Sequence, residues 1–179
     1  MNADQKVTLK NIAISALIFT ILFGAIQALI SGIRYAVISA PIAGFFFGLL
    51  MYLFLNSKKV KQQTSISVKD QEGTLYSGAA NHFKNSEAVG GKLYLLNDRL
   101  EFKSHGFNIQ NHAFNIYLTE IAELNFYKTL GIVPNGLSIS LIDGEVEKFV
   151  VNNRDAWKLS IENQLTYYNK KQDQTLCNA

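Results

Sequence analysis

GGKLYLLNDRLEFKS, residues Gly90–Ser104, is the stretch from which the fold can be read. In Arg99–Ser104 the apolar Leu100 and Phe102 alternate with Arg99, Glu101 and Lys103, the period-two pattern of a strand with one wet face. Gly90–Leu96 reads as the preceding strand. Between them Asn97-Asp98 supplies a two-residue hairpin turn, because both residue types tolerate positive φ.

Working outward, the same alternation predicts five more strands. They are Thr74–Lys84, Ala113–Leu118 with Phe114, Ile116 and Leu118 inward, Ile121–Lys128, Leu137–Ile142 and Glu145–Val151. Asp143-Gly144 marks the last tight turn, and Gly131–Gly136 reads as an apolar loop that could touch lipid or a partner. After Val151 the period changes to that of a helix. Asn153 is the expected N-cap, and Trp157, Ile161, Leu165 and Tyr168 recur on one face. Seven short strands closed by one amphipathic helix predict a small barrel with a helical plug, Trp157 serving as its core anchor.

Upstream the composition is different. Ile12–Leu55 holds forty-four residues and one charged side chain, Arg34. Two apolar runs, 12–30 and 35–55, are each long enough to cross a bilayer core of roughly 30 Å as a helix. They exceed the 7–15 residues of a signal-peptide core, and a second span follows at once. The prediction is a transmembrane helical hairpin. Lys6 and Lys10 precede it and Lys58, Lys59 and Lys61 follow it, so the positive-inside rule puts both termini in the cytoplasm and Ser31–Tyr35 outside. This makes the expected protein a two-pass component of the plasma (inner) membrane. Small residues recur every fourth position: Gly24, Ala28 and Gly32 on the first helix, Ala36, Ala40, Gly44 and Gly48 on the second. Such rows allow close helix packing, within the hairpin or between copies in a homo-oligomer. Pro41 falls near the start of the second helix, and neither span holds an acidic residue, His or Lys. That composition disfavours a conduit for ions or solutes.

The chain of 179 residues thus divides into a cytoplasmic segment 1–11, the hairpin 12–55, a juxtamembrane linker 56–72, a folded domain 73–170 and a tail 171–179. The linker, NSKKVKQQTSISVKDQE, lacks an apolar period and reads as a tether, its lysines near the headgroups. The net charge of +3 belongs to the membrane flanks. From Gln62 onward there are eleven basic and thirteen acidic residues, which argues against a nucleic-acid partner. The single cysteine, Cys177, offers no disulfide framework.

The run Gly90–Phe102 resembles the strand–turn–strand signature of GRAM domains, whose usual form is close to G-x-L-Y-L-T-N-x-R-L-x-F. Thr129–Trp157 is similar to bacterial members of that family, and the resemblance covers roughly Gly73–Tyr168. Leu96 stands where the signature carries a small polar residue. The resemblance implies an α+β protein in which the hairpin precedes a pleckstrin-homology-like, seven-stranded bent β-barrel capped by a C-terminal helix. It also implies a binding module for membrane lipid or for a protein, with no cofactor. The candidate contact residues are Lys92, Arg99 and Lys103, on one face of the second and third strands, with Glu101 diluting their charge.

No catalytic constellation stands out, and the chain is read as a non-enzyme. His105 and His112 flank the polar loop SHGFNIQNH at a spacing that fits no zinc pattern, and no metal site is expected there or at His82. Two functions compete. One is a membrane-anchored cytoplasmic module that docks a protein partner or lipid at the bilayer surface. The other is a structural membrane subunit whose hairpin oligomerises while the barrel acts as a spacer.

Overall fold

A computed structural model describes residues 3–84 and 87–177. Residues 1–2 of the expected N-terminal segment and 178–179 of the expected tail lie outside the described residues. The chain divides into two compact units, with the boundary between Lys61 and Gln62.

The apolar runs form helices α1 (Ala3–Ser31) and α2 (Ile33–Asn56), both long and apolar enough to cross a membrane. The connection is tighter than the expected Ser31–Tyr35 loop. Gly32 alone breaks the helix, at φ 89°, a left-handed value that only glycine adopts at little cost. Its N–H still donates to Ala28 O (3.1 Å) and its carbonyl accepts from Ala36 N (3.3 Å), so the helical bonding barely lapses. The two helices pack as an antiparallel hairpin through their small residues. Ala36, Ala40 and Gly44 are buried. A Cβ on Gly24 would lie 3.1 Å from that of Ala40, one on Gly48 3.2 Å from that of Ala16, and one on Gly44 would collide with the Thr20 hydroxyl. The contact row on α1 therefore includes Ala16 and Thr20 beside Gly24. Thr20 Oγ1 donates to Ala16 O (2.8 Å), which satisfies its hydroxyl within its own helix. Phe19 and Phe47 stack with centroids 4.5 Å apart. Leu17, Ile21, Leu29, Val37 and Phe45 point outward and exposed, so the helices are apolar on their outer faces as well as at their contact.

Alternation in the second unit yields seven strands: β1 (Tyr76–Lys84), β2 (Glu87–Leu95), β3 (Arg99–Ser104), β4 (Ala113–Tyr117), β5 (Ile121–Thr129), β6 (Val133–Leu141) and β7 (Val146–Val151). They form one antiparallel sheet in the order β4-β3-β2-β1-β7-β6-β5. Strand β1 lies at its centre, pairing with β2 over its whole length and with β7 from Ala80 to His82. Both turn signals are used. Leu96 N bonds Arg99 O (2.8 Å) across Asn97-Asp98, and Leu141 N bonds Glu145 O (2.8 Å) around Gly144 at φ 91°. The expected loop 131–136 is shorter than its sequence suggests. Leu130 and Gly131 turn with positive φ, and β6 already begins at Val133.

The inward face holds Leu93, Leu95, Leu100, Phe102, Ile116, Leu137, Ile139 and Phe149. Helix α5 (Arg154–Cys177) closes this core with Trp157 and Ile161, both fully buried, and with the partly buried Leu165 and Tyr168. Asn153 sits in the left-handed region (φ 55°) and caps α5, its Oδ1 accepting from Ala156 N (3.3 Å). The Trp157 ring meets Tyr76 edge-on at 4.6 Å. Helix α5 continues without a break into the segment expected to be a tail.

Candidate functional site

The candidate contact residues lie on the outer face of β2 and β3, opposite the core. Lys92 and Tyr94 project from β2, and Arg99, Glu101 and Lys103 from β3. Lys92 is directly paired with Lys103, and Tyr94 with Glu101. This face is covered by the chain's own connecting segment. Two short helices, α3 (Lys58–Gln63) and α4 (Val68–Glu72), form where a tether was expected, and the stretch from Gln63 to Thr74 is laid onto the strands.

The contact has an apolar centre and a polar rim. Ile66, 6% exposed, packs with Tyr94 and Leu96 in a cluster separate from the main core. The Tyr94 hydroxyl donates to the carbonyl of Thr64 at 2.8 Å, and Thr64 is itself 5% exposed. Lys103 Nζ donates to Ser65 O at 2.7 Å. Gly106 N donates to Gln63 Oε1 (2.9 Å), and Gln71 Nε2 to Ile66 O (2.8 Å). Leu96, apolar where the resembled signature is polar, is buried in the same cluster as Ile66.

Arg99 closes the rim. Its Nη2 reaches Asp70 Oδ1 at 3.0 Å and Glu101 Oε2 at 3.4 Å, and its Nη1 reaches Asp98 Oδ1 at 3.0 Å. Asp70 is positioned by Ser67, the N-cap of α4, whose Oγ donates to Asp70 Oδ2 (2.6 Å) and accepts from Asp70 N (3.2 Å). The Ser67 hydroxyl first, and Arg99 with it, hold the Asp70 carboxyl below its usual range, against some desolvation. Desolvation works to lower Arg99, but the Asp70 bond and the surrounding carboxylates raise it on balance. Burial, aided by Glu101, pushes the Tyr94 phenol up to about 12. Lys92 sits over the Tyr94 ring at 4.6 Å. The three cations therefore bind their own chain: Arg99 meets three carboxylates, Lys103 a connector carbonyl and Lys92 an aromatic face.

The other sequence candidates lie elsewhere. Lys58, Lys59 and Lys61 belong to α3, with Lys61 Nζ donating to Asn56 Oδ1 at 3.2 Å. Gly24, Ala28, Gly32, Ala40, Gly44 and Gly48 belong to the helical hairpin already described.

The structure brings together two histidines that sequence spacing left apart. His82 on β1, 4% exposed, has Nδ1 2.8 Å from His112 Nε2 and Nε2 2.5 Å from Glu147 Oε2. Phe102, Phe114 and Phe149 surround its ring at centroid distances of 4.7–5.5 Å. His105 is not part of this chain. It turns instead to Asn108, and burial lowers its pKa. Among the described residues no group of three ligating side chains is arranged to hold a metal. His82 on β1 and His112 beside β4 lie on segments that are not paired with each other, so no sequence pattern disclosed their contact.

The sheet order, with β1 bridging β2 and β7 and a C-terminal helix closing the core, completes the comparison with the expected architecture. The fold is pleckstrin-homology-like. No family model and no curated protein sequence matches the chain. Among solved structures the chain is similar to the C-terminal domain of an unknown protein from Leishmania infantum, at 19% identity and TM-score 0.47 over 55% of this chain and 90% of that one. It is also similar to the Vps36 N-terminal PH domain, at 14% identity and TM-score 0.42 over 54% and 81%. A third is the Slm1 PH domain in complex with phosphoserine, at 13% identity and TM-score 0.39 over 52% and 93%.

Proposed function

We propose that the chain is a membrane-anchored, non-enzymatic binding module of GRAM type. In this reading its two-pass hairpin holds a pleckstrin-homology-like barrel at the cytoplasmic surface of an inner membrane, where the barrel docks a protein partner. The observation that carries the choice of protein over lipid headgroup is the engagement of Arg99. A guanidinium shared among Asp70, Asp98 and Glu101 has little charge left for a phosphate, and Lys103 is committed to Ser65. The slight excess of acidic residues beyond Gln62 points the same way. Anchoring by the hairpin also removes the need for headgroup affinity in the barrel. Gly44 against Thr20, and Gly24 against Ala40, support packing within one hairpin over a role as an oligomer seam.

Two measurements test this reading. The full chain and a version carrying the hairpin alone are purified from crosslinked, detergent-solubilised membranes. A protein retained by the first and not by the second is the expected result. In parallel, residues 62–179 are sedimented with anionic and with zwitterionic vesicles. A tenfold preference for the anionic ones would overturn protein docking in favour of headgroup binding.

A further inference from the structure

We propose that the β5–β6 turn enters the interfacial layer of a lipid bilayer through Leu130 and Ile132, an inference that rests on reading the hairpin as a membrane anchor. Leu130 is 88% exposed and Ile132 77%, and Val133 beside them is exposed as well. Leu130 stands at φ 53°, a left-handed value that Asn, Asp or Gly adopts at lower cost. The fold of the turn does not call for a leucine there, and the side chain covers nothing in the barrel core. The backbone, in turn, is fitted to leave water. Gly131 N donates to Lys128 O (3.1 Å) and Ile132 N to Thr129 O (3.2 Å). The Thr129 hydroxyl donates to Asn135 Oδ1 (2.7 Å), and Pro134 has no N–H to satisfy.

Size and charge favour lipid over a protein as the occupant. Leu130, Ile132 and Val133 expose on the order of 400 Å² at a hairpin tip, half of the ~800 Å² that each partner of a stable protein pair buries. No acidic residue occurs from Leu124 to Ile142, and the one charge in that span is the exposed Lys128. On the strand leading to the turn, Arg154 and Lys158 from α5 lie over the Phe126 ring at 4.4 and 5.3 Å and donate to Tyr127 O and Leu124 O. The acidic residues beside them on α5 are Asp155 and Glu162, the latter 3.6 Å from Lys158. An aliphatic tip backed by cations suits the bilayer interface, where the apolar side chains enter and the charges stay at headgroup level. The chain also supplies proximity. Residues 57–63 alone separate the end of α2 from Thr64, which is bonded to Tyr94, so an anchored barrel meets the bilayer at high effective concentration.

The test uses the full chain in phosphatidylcholine nanodiscs. In a Cys177→Ser background, a nitrobenzoxadiazole label is attached at Ile132→Cys, or at Ile109→Cys on the β3–β4 loop, a control position 94% exposed. A nitroxide on the lipid acyl chain is expected to quench the label at position 132 at least fivefold more than the label at position 109. Adding Leu130→Asp to the chain labelled at 132 is expected to cut that quenching at least threefold. Because Asp tolerates the left-handed region, it does so without lowering Tm. Equal quenching at the two positions overturns the inference, as does quenching that Leu130→Asp leaves unchanged. A label at 132 shielded from aqueous iodide yet out of reach of the lipid nitroxide also overturns it, since a protein then covers the turn. A chain that fails to enter the discs refutes the anchor and this inference together. A chain that enters them with the label at 132 unquenched refutes this inference alone.

Discussion

Replacing Ile66 with alanine separates a docked connector from a loose tether. Ile66 is buried against two side chains, Tyr94 and Leu96, outside the main core. Truncating a core isoleucine costs about 2–5 kcal/mol. A three-residue satellite can relax more than a core, so the lower end applies, about 2 kcal/mol. At about 1.4 kcal/mol per decade this raises the local opening constant of the connector roughly thirtyfold. The barrel keeps its own core, so the change is confined to the connector and does not alter global stability by the same amount. Hydrogen exchange of a peptide spanning 62–74, measured on the full chain in micelles, reads the constant directly. A wild-type peptide that exchanges at free-chain rates would refute the reasoning, as would a change in Ile66→Ala smaller than threefold.

Tyr94→Phe keeps the ring but leaves the Thr64 carbonyl without this donor, and is expected to raise connector opening about tenfold, from a loss of about 1–2 kcal/mol. Ultraviolet titration of the phenols is expected to show one group ionising near 12. Because that pKa is raised, the stabilisation from the neutral phenol is complete below about 10 and disappears as pH climbs through 12. Absence of the late phase in the wild type would contradict the burial. For Asp70 the sign is opposite: its folded value is depressed, so its contribution is present above 3.8 and lost as pH falls below that. Connector exchange should therefore be flat between pH 7.5 and 5.0, and Asp70→Asn should remove the clasp at both. Trp157→Ala opens a cavity beneath α5 and is expected to cost about 3–5 kcal/mol, a drop in Tm of about 10 °C or more by calorimetry. Gly44→Leu drives a side chain into Thr20. Disulfide crosslinking between cysteines placed at Ala16 and Gly48 should fall sharply, and an unchanged yield would mean the hairpin packs differently.

The barrel was legible in the sequence because each strand with one wet face advertises itself by alternation, and two turns carry Asx chemistry. Arg99–Ser104 needed no tertiary information. The start of β6 was misread because Pro134 signals a loop. In the sheet it falls before Gly136, where pairing with β7 begins, so its missing N–H interrupts no bond on that side. The connector was harder. On the stretch laid against the strands its buried apolar residue, Ile66, stands between two serines, and its strongest partners are backbone carbonyls, which no sequence pattern reveals. For the same reason Lys92, Arg99 and Lys103 looked like a surface for something else. A cation on the wet face of a strand has the same sequence whether water, a headgroup or the chain itself lies opposite. The one local hint was Leu96, apolar at a position where the resembled signature is polar. His82 and His112 lie thirty residues apart on segments that do not pair, so nothing local in the sequence joins them.

The closure of the barrel by its last element sets an order of events during synthesis. The sheet is held together at its centre by β1 against β7, and the core is completed by Trp157 and Ile161 from α5. A nascent chain exposes α1 and α2 long before either contribution has been made. Emerging strands have Phe102 and Leu93 uncovered until Trp157 and Ile161 have been made. The hairpin is therefore complete before the barrel can close, and closure is a single late step. A stop codon anywhere before Trp157 would leave the hairpin carrying an open sheet with its core uncovered.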